Sequence, residues 1–221
     1  MPEISLNSMG ADMADINNDA MPEIFVTDML PESDARYKTK TTFENWEKYQ
    51  RNVQNGYHHQ FIRNALQLNH GAMHFSEISR FAGVSSTDWS WGALITDMDM
   101  DGYKDIFVAN GIYKDLTDQD YLSLYNNPEA ILGLMKKEKD VIKKLIDAIP
   151  SEKLSNYAFQ NNGNLSFTNQ SSEWGLSTPS FSHGSAYGDL DNDGDPDLVI
   201  NNTSMPCFIY KNHTNGKRNY L

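Results

Sequence analysis

The chain of 221 residues has a single cysteine, no long apolar run and no recognisable secretion signal at its start. It contains one cysteine, Cys207, which excludes an internal disulfide and a thiolate metal cluster. No run of 18 apolar residues occurs, so the sequence predicts no membrane-spanning helix. The first ten residues, MPEISLNSMG, lack the basic and apolar regions of a secretion signal. We therefore expect an internal piece of a longer protein, stabilised by packing or by hard cations.

Basic charge is also scarce. There are 18 basic residues against 30 acidic ones, which gives a formal charge of −12. Such a balance repels nucleic acid and anionic membranes, so we expect no nucleic-acid partner. The 39% hydrophobic and 11% aromatic content is enough for a globular core. Cations are the partners that this composition favours.

The chain does contain an internal repeat. Three segments align without gaps, SMGADMADINNDAMPEIFVTD from Ser8, SWGALITDMDMDGYKDIFVAN from Ser90 and SHGSAYGDLDNDGDPDLVINN from Ser182. In each, an acidic loop runs into a short β-branched stretch typical of a strand. A second element, LNHGAMHFSEISRFAGV from Leu68, matches QNNGNLSFTNQSSEWGL from Gln160, and its Asn-x-Gly centre indicates a hairpin. The repeating unit is therefore four short strands, the size and order of a β-propeller blade.

We predict a mainly β fold, a partial β-propeller with α-helical insertions in two of its repeats. The predicted units are residues 4–85 with an insertion at about 31–59, residues 86–178 with an insertion at about 114–153, and a partial third repeat over 179–221. Propeller closure would require further blades or self-association, because fewer than three complete repeats are present.

Each insertion contains an amphipathic helical pattern. In the first, Thr42 is a plausible cap, Phe43, Trp46, Tyr49 and Val53 form one stripe, and Gly56 ends the helix. In the second, Thr117 to Asp120 resemble a capping box. A helix is then expected between Pro128 and Pro150, with one face made by Ile131, Leu134, Met135, Ile142, Leu145 and Ile149.

The acidic loops have the composition of calcium sites. In the third, Asp189, Asp191, Asp193 and Asp197 occupy positions 1, 3, 5 and 9 around the turn residue Gly194. Four such carboxylates repel one another unless they share a cation, and an all-oxygen shell suits calcium. Position 7 is expected to add a main-chain carbonyl. The predicted ligands are Asp15, Asn17, Asp19, Met21 and Glu23 in the first loop, Asp97, Asp99, Asp101, Tyr103 and Asp105 in the second, and Asp189, Asp191, Asp193, Asp195 and Asp197 in the third.

The first loop is degenerate, because Ala20 stands where the other two loops have the turn glycine. A non-glycine residue at positive φ costs about 1 kcal/mol. We therefore expect two strong calcium sites and one weaker site. An EF-hand is excluded, since position 12 is Val26, Val108 or Ile200 within a strand instead of a glutamate. Ordinary Asp/Asn/Gly turns without metal are the simpler alternative.

These motifs resemble the FG-GAP/VCBS repeat family, whose blades carry a Gly-Ala strand, a D-x-D-x-D-G-x-x-D loop and a hydrophobic strand. Met9-Gly10-Ala11 and Trp91-Gly92-Ala93 are similar to the opening of that repeat, and His183-Gly184-Ser185 is a looser version. More narrowly, the chain resembles bacterial envelope proteins related to cartilage acidic protein that carry an ASPIC/UnbV module. The lead-in to that module is similar to Tyr210-Lys211-Asn212 and Asn219-Tyr220-Leu221.

The resemblance implies a secreted or cell-surface protein that acts in adhesion or recognition of a protein or glycan. With the calcium loops at one end of each blade, the insertions lie at the other, where Trp46, Tyr49, Tyr121 and Tyr125 either shape a partner surface or only pack their helices. The lysine-rich stretch is either a solvated helix face or a site for an anionic partner, and comprises Lys136, Lys137, Lys139, Lys143 and Lys144.

The alternative function is a calcium-stabilised scaffold within a larger hydrolytic enzyme. Its candidate general bases are His58, His59 and, beside an acidic loop, His183. No serine, cysteine or second metal cluster completes a catalytic constellation around them, so we expect a binding module and no enzyme.

Overall fold

A computed structural model describes residues 1–41, 45–129, 132 and 140–214 of the chain. Within this part the protein is mainly β, and three antiparallel sheets follow one another along the sequence. A two-stranded parallel ribbon, made of β1 (Ile4–Ser5) and β4 (Gln60–Phe61), accompanies the first of them. Among the described residues no sheet closes on itself.

Each sheet corresponds to one sequence repeat. The first is formed by β2 (Gly10–Ala14), β3 (Glu23–Thr27), β5 (Ala65–Asn69) and β6 (Phe75–Glu77). The second is formed by β7 (Ser90–Thr96), β8 (Asp105–Asn110), β9 (Tyr157–Asn161) and β10 (Phe167–Asn169). The third has three described strands, β11 (Ser182–Gly188), β12 (Asp197–Asn202) and β13 (Phe208–Tyr210). The four strands predicted for each full repeat therefore form one sheet in both full repeats.

The hydrophobic core lies between successive sheets. Phe25 and Leu66 of the first sheet pack with Ile106 and Phe159 of the second. A separate cluster joins the second sheet to the third and includes Phe107, Leu198 and Ile200. Full burial of side chains of this size contributes roughly 1.5–3 kcal/mol each. Because successive strand residues point to opposite faces, one face of the second sheet packs against the first sheet and the other face packs against the third.

Five short helices complete the described part of the chain. They are α1 (Asp34–Lys40), α2 (Trp46–Gln54), α3 (Ser79–Ala82), α4 (Gln119–Tyr125) and α5 (Val141–Asp147). Asp118 caps α4 by accepting a hydrogen bond from the Tyr121 N–H at 2.8 Å, whereas the capping-box pattern over Thr117 to Asp120 placed the cap one residue earlier, at Thr117. No described helix has the length and apolar character needed to cross a bilayer.

Some helix predictions need correction or lie outside the described residues. Ile142, which the sequence placed on the packed face, has 76% of its surface exposed. Val141 and Leu145 are half-buried and Ile149 is buried, because these residues, four apart, form the inward stripe and Ile142 is rotated away from it. Gly56 follows the end of α2 at φ +86°, as predicted. The predicted residues outside the described part are Thr42, Phe43, Ile131, Leu134, Met135, Lys136, Lys137, Lys139, Asn219, Tyr220 and Leu221.

Strand register separates the acidic loops from the helical insertions. Ala14 pairs with Glu23, which places the first loop at one end of its sheet. Val26 pairs with Ala65, so the first insertion leaves and returns at the opposite end. The second repeat has the same arrangement.

Both insertions are held at their end of the sheets by an ion-pair network around Arg36. Its guanidinium donates to Asp88 at 2.9 Å and pairs with Asp115 at 3.4 Å and with Glu152 at 2.5 Å. Burial alone would lower the pKa of Arg36, but the hydrogen bond and charge of Asp88 raise it, so the guanidinium is held charged. The network joins the first insertion to the second and to the start of the second repeat.

Candidate metal-binding loops

The aspartate at position 1 of each acidic loop organises the turn. In the second loop, Asp97 accepts hydrogen bonds from the Asp101 N–H at 2.9 Å and from the Gly102 N–H at 2.8 Å. The same two bonds recur in the other loops, where Asp15 accepts from Asp19 and Ala20, and Asp189 accepts from Asp193 and Gly194. Burial would raise the pKa of Asp15, yet the backbone donors, Ala20 foremost, lower it overall. One sequence pattern therefore gives three loops of the same conformation.

The carboxylate at position 9 ties each loop to the third strand of its sheet. Asp105 accepts from the Met98 N–H and from the Asn161 N–H, both at 2.9 Å. The equivalent bonds join Glu23 to Ile16 and Asn69, and Asp197 to Leu190 and Asn212. Burial, reinforced by the charges of Asp99 and Asp97 and opposed by the two backbone donors, raises the pKa of Asp105 to about 7. Burial likewise raises the pKa of Glu23.

Two groups of three carboxylates come close enough to share one cation. Ligand oxygens lie within 4.8 Å of one another in Asp97, Asp99 and Asp101 of the second loop, and in Asp189, Asp191 and Asp197 of the third. These residues fit a hard cation, because each carboxylate keeps oxygen lone pairs beyond those used by the backbone donors. Of the predicted carboxylates in these loops, Asp105 and Asp193 lie outside the two groups. The carbonyls predicted at Met21, Tyr103 and Asp195 stay predictions.

A lysine already contacts the third loop. The ammonium of Lys211 forms ion pairs with Asp191 and, at 3.1 Å, with Asp193. The pKa of Asp193 falls to about 2 through side-chain hydrogen bonding with Asp195 and Lys211. In the second repeat, Gln160 occupies the corresponding place before the strand asparagine and donates to Asp99 at 2.6 Å. The negative charge of the third loop is thus partly neutralised by the ammonium of Lys211.

The first loop keeps the turn conformation without its glycine. Ala20 has φ +68°, where Gly102 and Gly194 have φ +91° and +97°. The side chain of Asn17 donates to Asp19 at 3.1 Å. No group of three carboxylates is found in this loop among the described residues. The expectation that this loop binds a cation more weakly than the other two stays a prediction.

One asparagine at or just after the third strand of each sheet contacts the acidic loop, a role that the sequence analysis did not predict. The three residues are Asn69, Asn161 and Asn212. Asn161 is buried, and its amide donates to the carbonyls of Lys104, at 2.9 Å, and of Ile16 in the preceding repeat, at 2.8 Å. Asn212 donates likewise to Pro196 and, in the preceding repeat, to Met98. The recurring Asn-x-Gly pattern at Asn69 and Asn161 could have indicated this role, but it was interpreted as a hairpin turn only. Each of the two later asparagines therefore links its own loop to the loop before it.

The candidate catalytic histidines make structural contacts. His58 bonds the Met1 carbonyl at 2.8 Å, and His59 bonds the Tyr49 hydroxyl at 2.6 Å. His183 was expected beside an acidic loop, but it lies near the start of β11 while Asp189 follows its end. An extended strand of six residues separates them by roughly 20 Å. His183 instead stacks on Trp91, with ring centroids 5.2 Å apart, and burial lowers its pKa.

The aromatic side chains of the insertions are largely accessible. Trp46 and Tyr125 are exposed. Tyr49 stacks on Trp46 with ring centroids 5.3 Å apart, and Tyr121 stacks on Tyr125 at 6.3 Å. Neither α2 nor α4 has a buried residue. Tyr49 also contacts the ring of Phe61 in β4, with centroids 5.8 Å apart, whereas Trp46 and Tyr125 leave apolar surface in solvent.

A cleft of ≈ 350 Å³ opens between the second and third repeats, beside the second loop. Its lining combines aromatic, acidic and amide side chains, among them Asp99, Glu173, Trp174, Tyr210 and Asn212. Aromatic faces beside hydrogen-bonding groups are the usual composition of a small binding site. The cleft thus brings a loop carboxylate and the half-buried rings of Trp174 and Tyr210 together.

The third loop lies within a segment that matches a known repeat family. An FG-GAP-like repeat lies at residues 148–200. The matched segment runs from the end of the second insertion through the whole third loop into β12. Repeats of this kind are typically non-catalytic and suggest a repeat-type domain for adhesion or recognition. No curated protein matches the chain.

The first two loops repeat the hydrogen bonds of the third loop. Their turn bonds and position-9 bonds are those of the third loop, residue for residue. The family match itself covers the third loop and neither of the first two.

Proposed function

We propose that this chain is a calcium-binding repeat segment of a secreted or cell-envelope protein that recognises a protein or glycan. The observation that carries the calcium part is the convergence of three carboxylates within 4.8 Å in each of two loops. Carboxylates at that separation repel one another, and a divalent ion removes the repulsion. Oxygen ligands on flexible loops favour calcium over zinc or copper.

Calcium would act on the scaffold of the protein. The second and third loops each bond the third strand of their own sheet, and the asparagine of that strand bonds the loop before it. Neutralising a loop therefore stiffens a whole end of the repeat array. Recognition is proposed for the surfaces beside it, foremost the cleft between the second and third repeats.

Calorimetric titration of metal-free protein with calcium tests the proposal. We expect two sites with dissociation constants of roughly 0.1–1 mM, the range of extracellular calcium modules, and a weaker third. Asp99→Asn and Asp191→Asn should each remove one site, whereas Asp120→Asn, an exposed change of the same charge outside the loops, should remove none. Magnesium serves as the selectivity control.

Two results would count against the calcium proposal. One is the absence of both binding heat and thermal stabilisation at millimolar calcium. The other is a stoichiometry that neither loop variant alters. For recognition, glycan arrays probed in calcium and in chelator, with Trp174→Ala as the cleft variant, give the corresponding test. For localisation, antibody labelling of intact and lysed source cells should detect the parent protein on intact cells.

A further inference from the structure

Asn212 contacts both of the loops that hold groups of three carboxylates. Its main-chain N–H donates a hydrogen bond to Asp197 at 2.9 Å, and its side-chain amide donates to the Met98 carbonyl at 2.7 Å. Asp197 belongs to the carboxylate group of the third loop. Met98 lies between Asp97 and Asp99, two members of the group in the second loop. A single residue therefore joins the two candidate cation sites of adjacent repeats.

The equivalent link between the first and second loops has different end points. Asn161 donates through its main-chain N–H to Asp105 at 2.9 Å and through its side-chain amide to the Ile16 carbonyl at 2.8 Å. Asp105, however, lies outside the carboxylate group of the second loop, and no such group is found among the described residues of the first loop. Of these two links, the one through Asn212 is therefore the one that connects two carboxylate groups.

On the basis of the calcium binding proposed above, we infer that calcium in the third loop raises the calcium affinity of the second loop, with Asn212 as the positioning residue between them. A cation held by Asp197 fixes that carboxylate and, through it, the main chain of Asn212. The Asn212 amide in turn holds the Met98 carbonyl, and with it the chain between Asp97 and Asp99. The second loop then loses less conformational freedom when it binds, so its affinity rises. Linkage requires the second loop to raise the affinity of the third by the same factor.

Charge acts in the opposite direction, which makes the sign of the coupling informative. A calcium ion in one loop repels a second ion in the neighbouring loop and lowers the affinity for it. Dissolved salt screens this repulsion over a Debye length of about 8 Å at physiological ionic strength, whereas the ordering of a loop by hydrogen bonds does not depend on screening. We therefore expect cooperative binding at that ionic strength, and stronger cooperativity as potassium chloride is added.

Calorimetric titrations of three proteins with calcium measure the coupling. Asp191→Asn disables the third loop and reports the affinity of the second loop alone, and Asp99→Asn does the reverse. The coupling factor is the product of the two stepwise association constants of the wild type, divided by the product of the two single-loop constants. We expect a factor of about five, the lower end of the range for coupled sites. The first loop, expected to be weaker, is unchanged in all three proteins.

Asn212→Ala tests whether the coupling runs through Asn212. Both loops should still bind calcium, because no carboxylate is removed, but the coupling factor should fall to about one. Asn69→Ala, which changes the equivalent residue of the first repeat, is the matched control and should retain the wild-type factor. A role in stability alone would shift the association constants without changing the factor.

Hydrogen exchange supplies a measurement that needs no change at Asn212. The Asp101 and Gly102 N–H groups of the second loop both donate to Asp97. In the Asp99→Asn protein, in which the second loop is disabled, calcium in the third loop should slow the exchange of these two N–H groups by about the coupling factor, roughly fivefold.

The outcomes separate this inference from the calcium proposal. A coupling factor of one or below, with both loops binding calcium, overturns the inference and leaves the calcium proposal intact. The same holds for a factor above one that Asn212→Ala retains, and for exchange in the second loop that calcium leaves unchanged. Absence of calcium binding at both loops overturns the inference and the calcium proposal together.

Discussion

The side-chain amide of Asn161 donates a hydrogen bond to the main-chain carbonyl of Ile16 at 2.8 Å, across 145 positions of sequence. The donor ends the third strand of the second repeat, and the acceptor is the second residue of the first acidic loop. Since the same amide also donates to the Lys104 carbonyl at 2.9 Å, one buried side chain joins two consecutive loops.

Replacement of Asn161 by alanine should destabilise the protein by about 2–4 kcal/mol. The change removes both donated bonds and the bond that the side-chain Oδ1 of Asn161 accepts from the Gly163 N–H, and it leaves buried partners unsatisfied. Asn69→Ala is the matched control. Asn69 makes the equivalent bonds to Pro22 and Gly71 but, among the described residues, no bond to another repeat. Urea denaturation should show the smaller loss for Asn69→Ala, and equal losses would contradict a role across repeats.

Ala20→Gly should stabilise the protein by about 1 kcal/mol, because Ala20 holds φ +68° in a turn where the other loops use glycine. Gly102→Ala, the reverse change at the same position of the second loop, should destabilise by a similar amount. Chemical denaturation of both variants in chelator measures the backbone effect without metal. A destabilised Ala20→Gly protein would show that the methyl group of Ala20 contributes packing.

Lys211→Gln should raise the calcium affinity of the third loop roughly threefold to fivefold, a modest gain because exposed ion pairs are weak. The substitution removes an ammonium that competes for Asp191 and Asp193 and installs the residue that the second repeat has at Gln160. Lys143→Gln changes the net charge equally at an exposed helix position and is the control. Calorimetry would contradict this prediction if both variants bound calcium with the same affinity.

Acid should destabilise the protein partly through Glu77. Burial would raise the pKa of Glu77, but hydrogen bonds from Arg63, at 2.8 Å, and from the backbone of Ser79 and Leu66 lower it below its usual value. The stabilisation is therefore present above the ordinary carboxyl pKa and is lost as the pH falls through the lowered value. Glu77→Gln should cost about 3 kcal/mol at neutral pH, because it leaves Arg63 largely buried without this partner.

The pH dependence distinguishes this effect from a packing defect. In denaturation midpoints measured between neutral and acidic pH, Glu77→Gln should lose less stability than wild type, so the two curves converge in acid. Glu129→Gln, an exposed change, should run parallel to wild type. Curves that stay equally separated at every pH would contradict the ion-pair explanation.

Much of the scaffold was predictable from the sequence, because repetition makes local signals reinforce one another. The frame around Asp15, Asp97 and Asp189 predicted the strand–loop–strand units, and the structure shows three loops with the same turn bonds. Gly56 marked the end of α2 correctly, since a glycine stop is a local signal. The capping-box pattern located the start of α4 to within one residue, because Asp118 and not Thr117 is the cap.

Features that depend on neighbouring repeats could not be predicted in this way. The position of Asp105 in the loop predicted a metal ligand. The sequence does not indicate that the Met98 and Asn161 N–H groups donate hydrogen bonds to its carboxylate. The stacking of His183 on Trp91 depends on how two sheets meet. The exposure of Ile142 depends on which of two adjacent stripes on a short helix contacts the sheets.

Each helical insertion departs and returns between residues that are already cross-strand partners, Val26 with Ala65 and Val108 with Tyr157. The register of the sheet therefore does not depend on the length of the insertion. Foreign peptides of widely different length could be grafted at these two points for display, and because both grafts would emerge at the same end of adjacent sheets, the array would present them as a pair.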